Sequence, residues 1–402
     1  MNAESISKST LFGLGLILAL GIFLRLYPST AGENVKGFDE TIYVRYVNIL
    51  AARGLGTYPA MAEAYIEAQR DLPGVFLPPT RFFYIWAGYL WHSAFGAAPR
   101  TALHRVSSVF TILTLLLSTV FAARLGGWKP AVGVAALMAC APTQIHMAQH
   151  ALIDGVFAFW ALLSLWALWE SLRHPDCPGW LVLLGASLCG MVLTKENAAF
   201  VYASLLVVVA AGRWLDFGKV TLPLLIVLFV GPALGLGLLF LLAGGPMQFV
   251  EIYKLLVQKA SVLPYAIRYC DGPWYRYLLD LLLVSPLVLL LAVGEIFQLN
   301  TGKKAALYLF TFLCASYIFM SSVKYSMNLR YANMWDMPLR YLAFSQLSVI
   351  CGRFRLHQRA GLIFLTAAIC LFELNQFRVL FVQYRLYELV TEGLVRALKI
   401  LK

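Results

Sequence analysis

The stretch VTLPLLIVLFVGPALGLGLLFLLA, residues 220–243, contains no charged side chain. A transmembrane helix needs about 20 consecutive apolar residues to cross the hydrocarbon core of a bilayer, and this stretch is longer than that. Over all 402 residues, 60% are hydrophobic and 13% are charged, whereas soluble domains carry about 25% charged residues. The composition therefore excludes an ordinary soluble globule and predicts a polytopic integral membrane protein.

Further apolar runs along the chain predict an all-α protein with about eleven transmembrane helices. They lie at approximately 10–27, 103–123, 130–147, 152–170, 180–194, 197–212, 278–297, 305–323, 337–351 and 360–377. The formal net charge of +12 fits this class, because cations concentrate on cytoplasmic loops and beside anionic lipid. We therefore expect the lipid bilayer, and not nucleic acid, to be the partner of the basic residues.

Cationic residues recur in every second connection between the apolar runs. If Lys8 is cytoplasmic, the cytoplasmic connections hold Arg124, Lys129, Arg173, Arg213, Lys219, Lys303, Lys304, Arg353, Arg355 and Arg359. This distribution follows the positive-inside rule and predicts one membrane domain over residues 1–377. An amphipathic interfacial helix over residues 378–402 is expected to follow on the external side. A cleaved signal peptide is the alternative interpretation of the first run.

The segment from residue 28 to residue 102 is far longer than the connections of about 2–8 residues that are common in helical bundles. Residues 41–50 and 61–70 are predicted to be helical, and residues 82–95 are apolar but too short to span a bilayer unaided. We expect a large external loop with membrane-surface helices, the last of them re-entrant or interfacial. The alternative is an additional span, which would reverse the side of every later loop and remove the cation pattern.

Ionisable residues from distant parts of the chain are predicted to meet at the external membrane face. They are Asp39, Glu40, Asp154, Lys195, Glu196, Lys324 and Arg330. Ionisable groups at membrane depth are costly and tend to mark pathways or sites, and carboxylates beside fixed cations can take up a proton and hold an anion. For each residue alone, the alternative is a solvated loop end or a salt bridge between helices.

A series of short motifs follows the same order along the chain. They are GFDETIY at 37–43, LPPTRFFY at 77–84, RVSS at 105–108, HALID at 150–154, GMVLTK at 190–195, GPWYRY at 272–277, and Arg330-Tyr331 followed by Pro338. In this order they resemble the GT-C class of membrane glycosyltransferases, in particular protein O-mannosyltransferases and bacterial lipid A aminoarabinose transferases. The resemblance implies the GT-C fold over about residues 20–345. It leaves the acceptor open between a glycan, a lipid and a protein.

The resemblance implies an inverting transfer of a sugar from a polyprenyl-phosphate donor to an acceptor hydroxyl. The reaction is expected at the periplasmic face of a bacterial inner membrane. The expected general base is Asp39, with Glu40 and Asp154 as the alternatives. If Asp39 is the base, Asp154 orients the acceptor or fixes a cation, and Glu40 positions the loop or completes a metal site. The implied contacts to the lipid phosphate or the sugar are Lys195, Glu196, Lys324, Arg330, Tyr331, Tyr43 and Arg81.

No obligatory cofactor is expected, since no spacing of His, Asp and Glu demands a metal, and a divalent cation is kept as an option. His146 and His150 lie one helical turn apart and are interpreted as structural. Two alternative functions are retained, an oligosaccharide ligase or polymerase of related fold and a transporter or flippase for lipid-linked sugars. A transporter is expected to carry ionisable groups along its path at mid-span, whereas the groups here cluster at one face.

Overall fold

The computed structural model describes residues 7–27, 37–324, 327–353 and 358–400. In these ranges the chain is helical and forms no β-strand, which confirms the predicted all-α class. Helices satisfy every backbone hydrogen bond within one segment, as a lipid environment requires. The first helix, α1 (Lys8–Leu26), is followed by three helices of the external segment, α2 (Phe38–Arg53), α3 (Tyr58–Asp71) and α4 (Phe82–Phe95).

Helices then alternate with short connections. They are α5 (Pro99–Gly126), α6 (Trp128–Ala139), α7 (Pro142–Ala148), α8 (Asp154–Arg173), α9 (Pro178–Thr194), α10 (Ala198–Leu215), α11 (Leu222–Leu242), α12 (Pro246–Ala260), α13 (Pro264–Tyr269), α14 (Arg276–Val284), α15 (Pro286–Ile296), α16 (Lys304–Ser321), α17 (Asp336–Gly352) and α18 (Gln358–Phe377). In the described ranges, seven helices are long and apolar enough to cross a membrane, or eight if α6 and α7 form one bent span. The protein is therefore a multi-pass membrane protein, and the number of eleven spans stays a prediction.

Two of the predicted spans are broken helices rather than continuous ones. The axes of α6 and α7 differ by 59°, and Pro142 stands at the start of α7. Pro286 similarly begins α15 directly after α14. A proline lacks the backbone N–H and its ring clashes with the preceding helical turn, so a helix stops before it and a new one begins.

The external segment has the helices that the sequence predicts, and α4 coincides with the predicted apolar stretch 82–95. Its length of 14 residues corresponds to about 21 Å, which is less than the ~30 Å of a bilayer core. Arg100 at the start of α5 forms an ion pair with Glu40 at the start of α2. The starts of α2 and α5 therefore lie at the same end of the bundle, which agrees with a segment that adds no span.

Helix α1 is joined to the bundle by a buried arginine. Arg25 is fully buried, and its guanidinium donates to the carbonyl oxygens of Gly21 at 2.9 Å, Met138 at 2.8 Å and Ala139 at 3.2 Å. The last two carbonyls belong to the end of α6, where the break before Pro142 leaves backbone acceptors without helical partners. The arginine satisfies them and holds α1 against the broken span.

The carboxy-terminal segment is not the single amphipathic helix that the sequence predicts. After α18 the chain forms a π-helical turn (Arg378–Gln383), an irregular stretch and a seven-residue helix, α19 (Thr391–Ala397). Leu389 and Leu394 are fully buried, so the apolar side chains pack against protein rather than lipid. Residues 401–402 lie outside the described ranges. We call residues 384–390 the C-terminal strap.

Candidate active site

Arg330 lies at the centre of three carboxylates that come from separate parts of the chain. Its guanidinium contacts Asp39 at the start of α2. Its Nε lies 3.6 Å from Asp154 Oδ2 at the start of α8, and its Nη1 lies 3.4 Å from Glu388 Oε1 on the strap. Arg330 itself is buried. One buried cation thus attracts three carboxylates that lie far apart in the sequence.

Lys195 completes this cluster. It directly follows α9, and its Nζ donates to Asp154 Oδ1 at 2.6 Å. The same ammonium lies 3.7 Å from the centre of the Tyr331 ring, which is a cation–π contact. Burial lowers the pKa of Lys195, and the neighbouring Asp154 counteracts that effect. The predicted residues Asp39, Asp154, Lys195, Arg330 and Tyr331 are thus brought together.

A second group of predicted residues supports the first. The Arg81 guanidinium forms a two-pronged contact with Glu196, in which Nε lies 3.1 Å from Oε2, and it donates to the Tyr43 hydroxyl at 2.6 Å. Burial acts to raise the pKa of Glu196, but the positive charges of Arg81 and Lys195 outweigh it and hold that pKa below its usual range. Tyr43 lies one turn after Asp39 on α2, and Glu196 directly follows Lys195. The contacts of Arg81 therefore join α2 to the connection between α9 and α10.

Glu40 makes different contacts from its neighbour Asp39. It is buried, forms an ion pair with Arg100, and accepts from the backbone N–H of Ala151 at 3.3 Å. His150 Nδ1 lies 3.2 Å from the same carboxylate, in agreement with the structural interpretation of that histidine. Among the residues that the structure describes, no group of three His, Cys, Asp or Glu side chains is placed to hold a metal ion. Glu40 therefore fastens the external segment to the bundle.

Lys324 is the predicted site residue that the structure does not bring into the cluster. It is exposed in the turn that follows α16. In the described part of the chain, no ion pair joins it to Asp39, Asp154 or Glu388. The prediction for Lys324 was based only on the side of the membrane at which its loop is expected. That side places a residue at one end of the bundle but does not determine its lateral position.

Sequence reasoning missed the residues that the strap contributes. Asn328 donates to the Glu388 carboxylate, and the N–H of Leu329 donates to the Leu389 carbonyl oxygen at 3.1 Å. The Tyr387 ring packs so closely on Gly37 that a Cβ atom there would overlap it. The sequence signal for this contribution was Glu388, an acidic residue that stands between the apolar residues of the tail.

A further buried polar cluster holds the segment that carries Arg330. Arg340 contacts Asp336, and its Nη2 donates to Glu373 Oε2 at 2.7 Å. Gln144 Nε2 donates to Asp336 Oδ2 at 2.8 Å. These bonds join α17 to α7 and α18, so they determine the position of the 3₁₀ segment Leu329–Trp335 directly before α17.

A comparison with protein families finds a match between residues 87–243 and the family of dolichyl-phosphate-mannose-protein mannosyltransferases. This range contains Asp154 and Lys195 of the cluster. A comparison with curated protein sequences gave no significant match.

Solved structures match nearly the whole chain. ArnT from Cupriavidus metallidurans, bound to undecaprenyl phosphate, has a TM-score of 0.54 at 17% identity, with 96% of this chain and 74% of ArnT covered. The apo oligosaccharyltransferase of Archaeoglobus fulgidus has a TM-score of 0.63 at 14% identity, with 92% of this chain and 55% of that protein covered. The chain has the GT-C fold. The fold implied by the short motifs is thereby confirmed.

The A. fulgidus protein also adds a ligand to the comparison. Its complex with an inhibitory peptide and a dolichol-phosphate has a TM-score of 0.55 at 13% identity to this chain. This chain spans about half the length of that protein. The GT-C fold is therefore shared with proteins solved with two different polyprenyl phosphates, undecaprenyl phosphate and dolichol-phosphate.

Proposed function

We propose that this GT-C protein is an inverting glycosyltransferase that moves a sugar from a polyprenyl-phosphate donor to an acceptor hydroxyl. The observation that carries the proposal is the cluster of Asp39, Asp154, Lys195 and Arg330, which combines a reachable carboxylate with two buried cations. The family match and the polyprenyl phosphates bound to proteins of this fold support the donor class.

Asp39 is the general base in this proposal. It accepts the proton of the acceptor hydroxyl while that oxygen attacks the anomeric carbon from the face opposite the phosphate. The bond between the anomeric carbon and the phosphate oxygen breaks, the polyprenyl phosphate leaves, and the configuration inverts. General-base help is typically worth 10²–10⁴-fold. The Asp39 side chain is 16% exposed, against 3% for Asp154, so an acceptor reaches Asp39 more readily.

Lys195 and Arg330 stabilise the charge that develops on the departing phosphate. A phosphate leaving group needs no proton donor, and fixed cations in a site without water act strongly on it. Arginine offers a planar fork for two phosphate oxygens, and lysine acts as a point charge. Asp154 holds both cations, and the Tyr331 ring lies against both. In this arrangement Asp154 is a positioning residue.

The remaining predicted residues position the catalytic ones. The contacts among Arg81, Glu196 and Tyr43 hold α2 against the connection after α9. The ion pair of Glu40 with Arg100 holds the start of α2 against α5. Lys324 has no role in this proposal. Direct sugar contacts by Arg81 or Tyr43 are compatible with these roles, because Tyr43 lies one helical turn after Asp39 and the Arg81 guanidinium contacts both Tyr43 and Glu196.

The proposed orientation puts the site on the periplasmic face of a bacterial inner membrane. Its support is the charge at the other end of the bundle, where a cavity of about 680 Å³ is lined by Arg124, Arg173, Lys303 and Lys304. Cations of this kind concentrate on the cytoplasmic side. Asp154 lies at the opposite end of α8 from Arg173, and Arg100, which pairs with Glu40, lies at the opposite end of α5 from Arg124.

The test is an assay of solubilised protein with a panel of polyprenyl-phosphate sugars and a membrane extract as acceptor source, following release of free polyprenyl phosphate. Wild type is expected to release it, and Asp39→Asn to lose at least about 10²-fold. Glu63→Gln, on the exposed face of α3, is the matched control. Full activity of Asp39→Asn removes Asp39 from the role of base. Absence of release with every donor, from folded protein, contradicts the proposed reaction and favours block transfer of oligosaccharides or transport.

A further inference from the structure

The cluster around Arg330 holds more carboxylates than cations. Arg330 and Lys195 face Asp39, Asp154 and Glu388, which leaves one negative charge in excess. A donor phosphate brings a further negative charge into this buried space. Like charges at close range strongly disfavour one another's ionised forms, and an unpaired buried charge is costly. One carboxylate must therefore move away or take up a proton when the phosphate binds.

Glu388 is the carboxylate that the two cations hold least, and its hydrogen-bond donor is the neutral side chain of Asn328. Its oxygen lies 3.4 Å from Arg330 Nη1, and that Nη1 makes no hydrogen bond to any described residue. Lys195 binds Asp154 directly, and Asp39 accepts a hydrogen bond from Arg330. The Glu388 side chain is also the most exposed of the three, at 25%. It stands on the strap, outside the membrane helices, where a small shift of backbone can withdraw it.

We propose that Glu388 is an exchangeable counter-ion of Arg330, which it neutralises in the empty site and releases to the donor phosphate. This inference rests on the proposed function, because it takes a polyprenyl phosphate as the ligand. No bond between heavy atoms forms or breaks in the exchange. Arg330 passes from one anion to another, and the freed carboxylate takes a proton from solvent. Glu388 is thus a positioning residue that acts through Arg330.

The exchange couples donor binding to proton uptake. Burial raises the pKa of Glu388, and Arg330 is the main influence that opposes this. Once a phosphate takes Arg330, that opposition is lost and a nearby negative charge is gained, so the pKa of Glu388 rises further. The charged and titratable groups that face Glu388 are Arg330, Tyr331, Asp39, Asp154, Tyr265, Cys270 and Tyr387. By linkage, phosphate binding to wild type is favoured as the pH falls.

The experiment measures binding of undecaprenyl phosphate to the full, solubilised chain at pH 8 and at pH 6. Glu388→Gln removes the competing charge and is expected to bind about tenfold more tightly than wild type at pH 8, the effect of one pKa unit of interaction. The advantage is expected to shrink at pH 6. The lipid phosphate titrates equally in the experiments with both proteins, so the ratio of the two dissociation constants at each pH does not depend on it.

Two variants separate charge from structure. Glu388→Asp keeps a carboxylate and is expected to retain the pH dependence of wild type. Glu392→Gln, an exposed position on α19, is the matched control and is expected to bind like wild type. If Glu388→Gln does not fold, Glu388→Met removes the same charge at similar length.

Each outcome bears on one hypothesis. An uncharged variant at position 388 that is folded and binds no more tightly than wild type at pH 8 overturns the role of Glu388, while the proposed function stands. A folded wild type that binds no polyprenyl phosphate overturns the proposed function, and the inference with it.

Discussion

Lys195 and Asp154 form an ion pair of 2.6 Å in which both side chains are almost fully buried. Removing one partner of a buried pair leaves the other charge uncompensated, which typically costs about 3–5 kcal/mol of folding stability. Replacing both by apolar residues removes that penalty. Comparing a single with a double substitution therefore distinguishes the contribution of this pair to folding stability from its proposed role in binding the phosphate.

We expect Lys195→Met to lower the stability of the protein by up to about 3–5 kcal/mol, because Arg330 Nε, 3.6 Å from Asp154 Oδ2, compensates the remaining charge only in part. The double variant Lys195→Met with Asp154→Leu is expected to regain much of this stability, but not the release of polyprenyl phosphate, because the cation is still missing. Thermal unfolding and the release assay measure the two effects. A double variant that is no more stable than the single one contradicts the pairing argument.

The ion pair between Glu40 and Arg100 is expected to contribute to stability rather than to chemistry. Glu40→Gln should keep part of the turnover that Asp39→Asn abolishes, although the two positions are adjacent. A double-mutant cycle with Arg100→Met should give a coupling energy of about 0.5–3 kcal/mol in thermal unfolding. Loss of turnover in Glu40→Gln equal to that in Asp39→Asn, with unchanged stability, would point to Glu40 as the base.

The contact between Gly37 and Tyr387 is expected to determine how the strap packs. Gly37→Ala places a methyl group into the tyrosine ring, and overpacking of this kind typically costs about 1–3 kcal/mol. The change should displace the strap and lower activity. Tyr387→Leu in the same protein creates space and should restore part of the stability. If the second substitution adds to the loss instead, the overlap is not its cause.

Glu196 is expected to make stability depend on acid pH. Its pKa in the folded protein is held below the ordinary 4.5, so its contribution is present above about pH 4.5 and is lost as the pH falls through the folded value. Glu196→Gln should therefore be less stable than wild type at pH 7, by about 1.5–3 kcal/mol for charge-assisted hydrogen bonds. The difference should shrink at pH 4 and below. Thermal unfolding at both pH values measures it, and an equal difference at pH 7 and pH 4 contradicts the assignment.

Much of the fold was predictable because hydropathy is a local property. A run such as 82–95 is apolar, bounded and too short to span, and its helix ends at the predicted residues. The break between α6 and α7 was missed although Pro142 is visible in the sequence, since apolar composition continues on both sides of it. The tail was predicted as one helix from its apolar periodicity, whereas residues 384–390 are irregular where they pack on the protein surface.

The sequence by itself determined the membrane class, the helical runs and the grouping of the charged residues at one end of the bundle. The order of the apolar runs was sufficient to predict that Asp39, Asp154, Lys195 and Arg330 lie at one end of the bundle, because each follows or precedes such a run. Only the tertiary structure decided that Glu388 joins them and that Lys324 does not. The Arg330–Asp39 contact joins residues 291 positions apart, and the lateral packing of helices that creates such contacts leaves no local pattern in the chain.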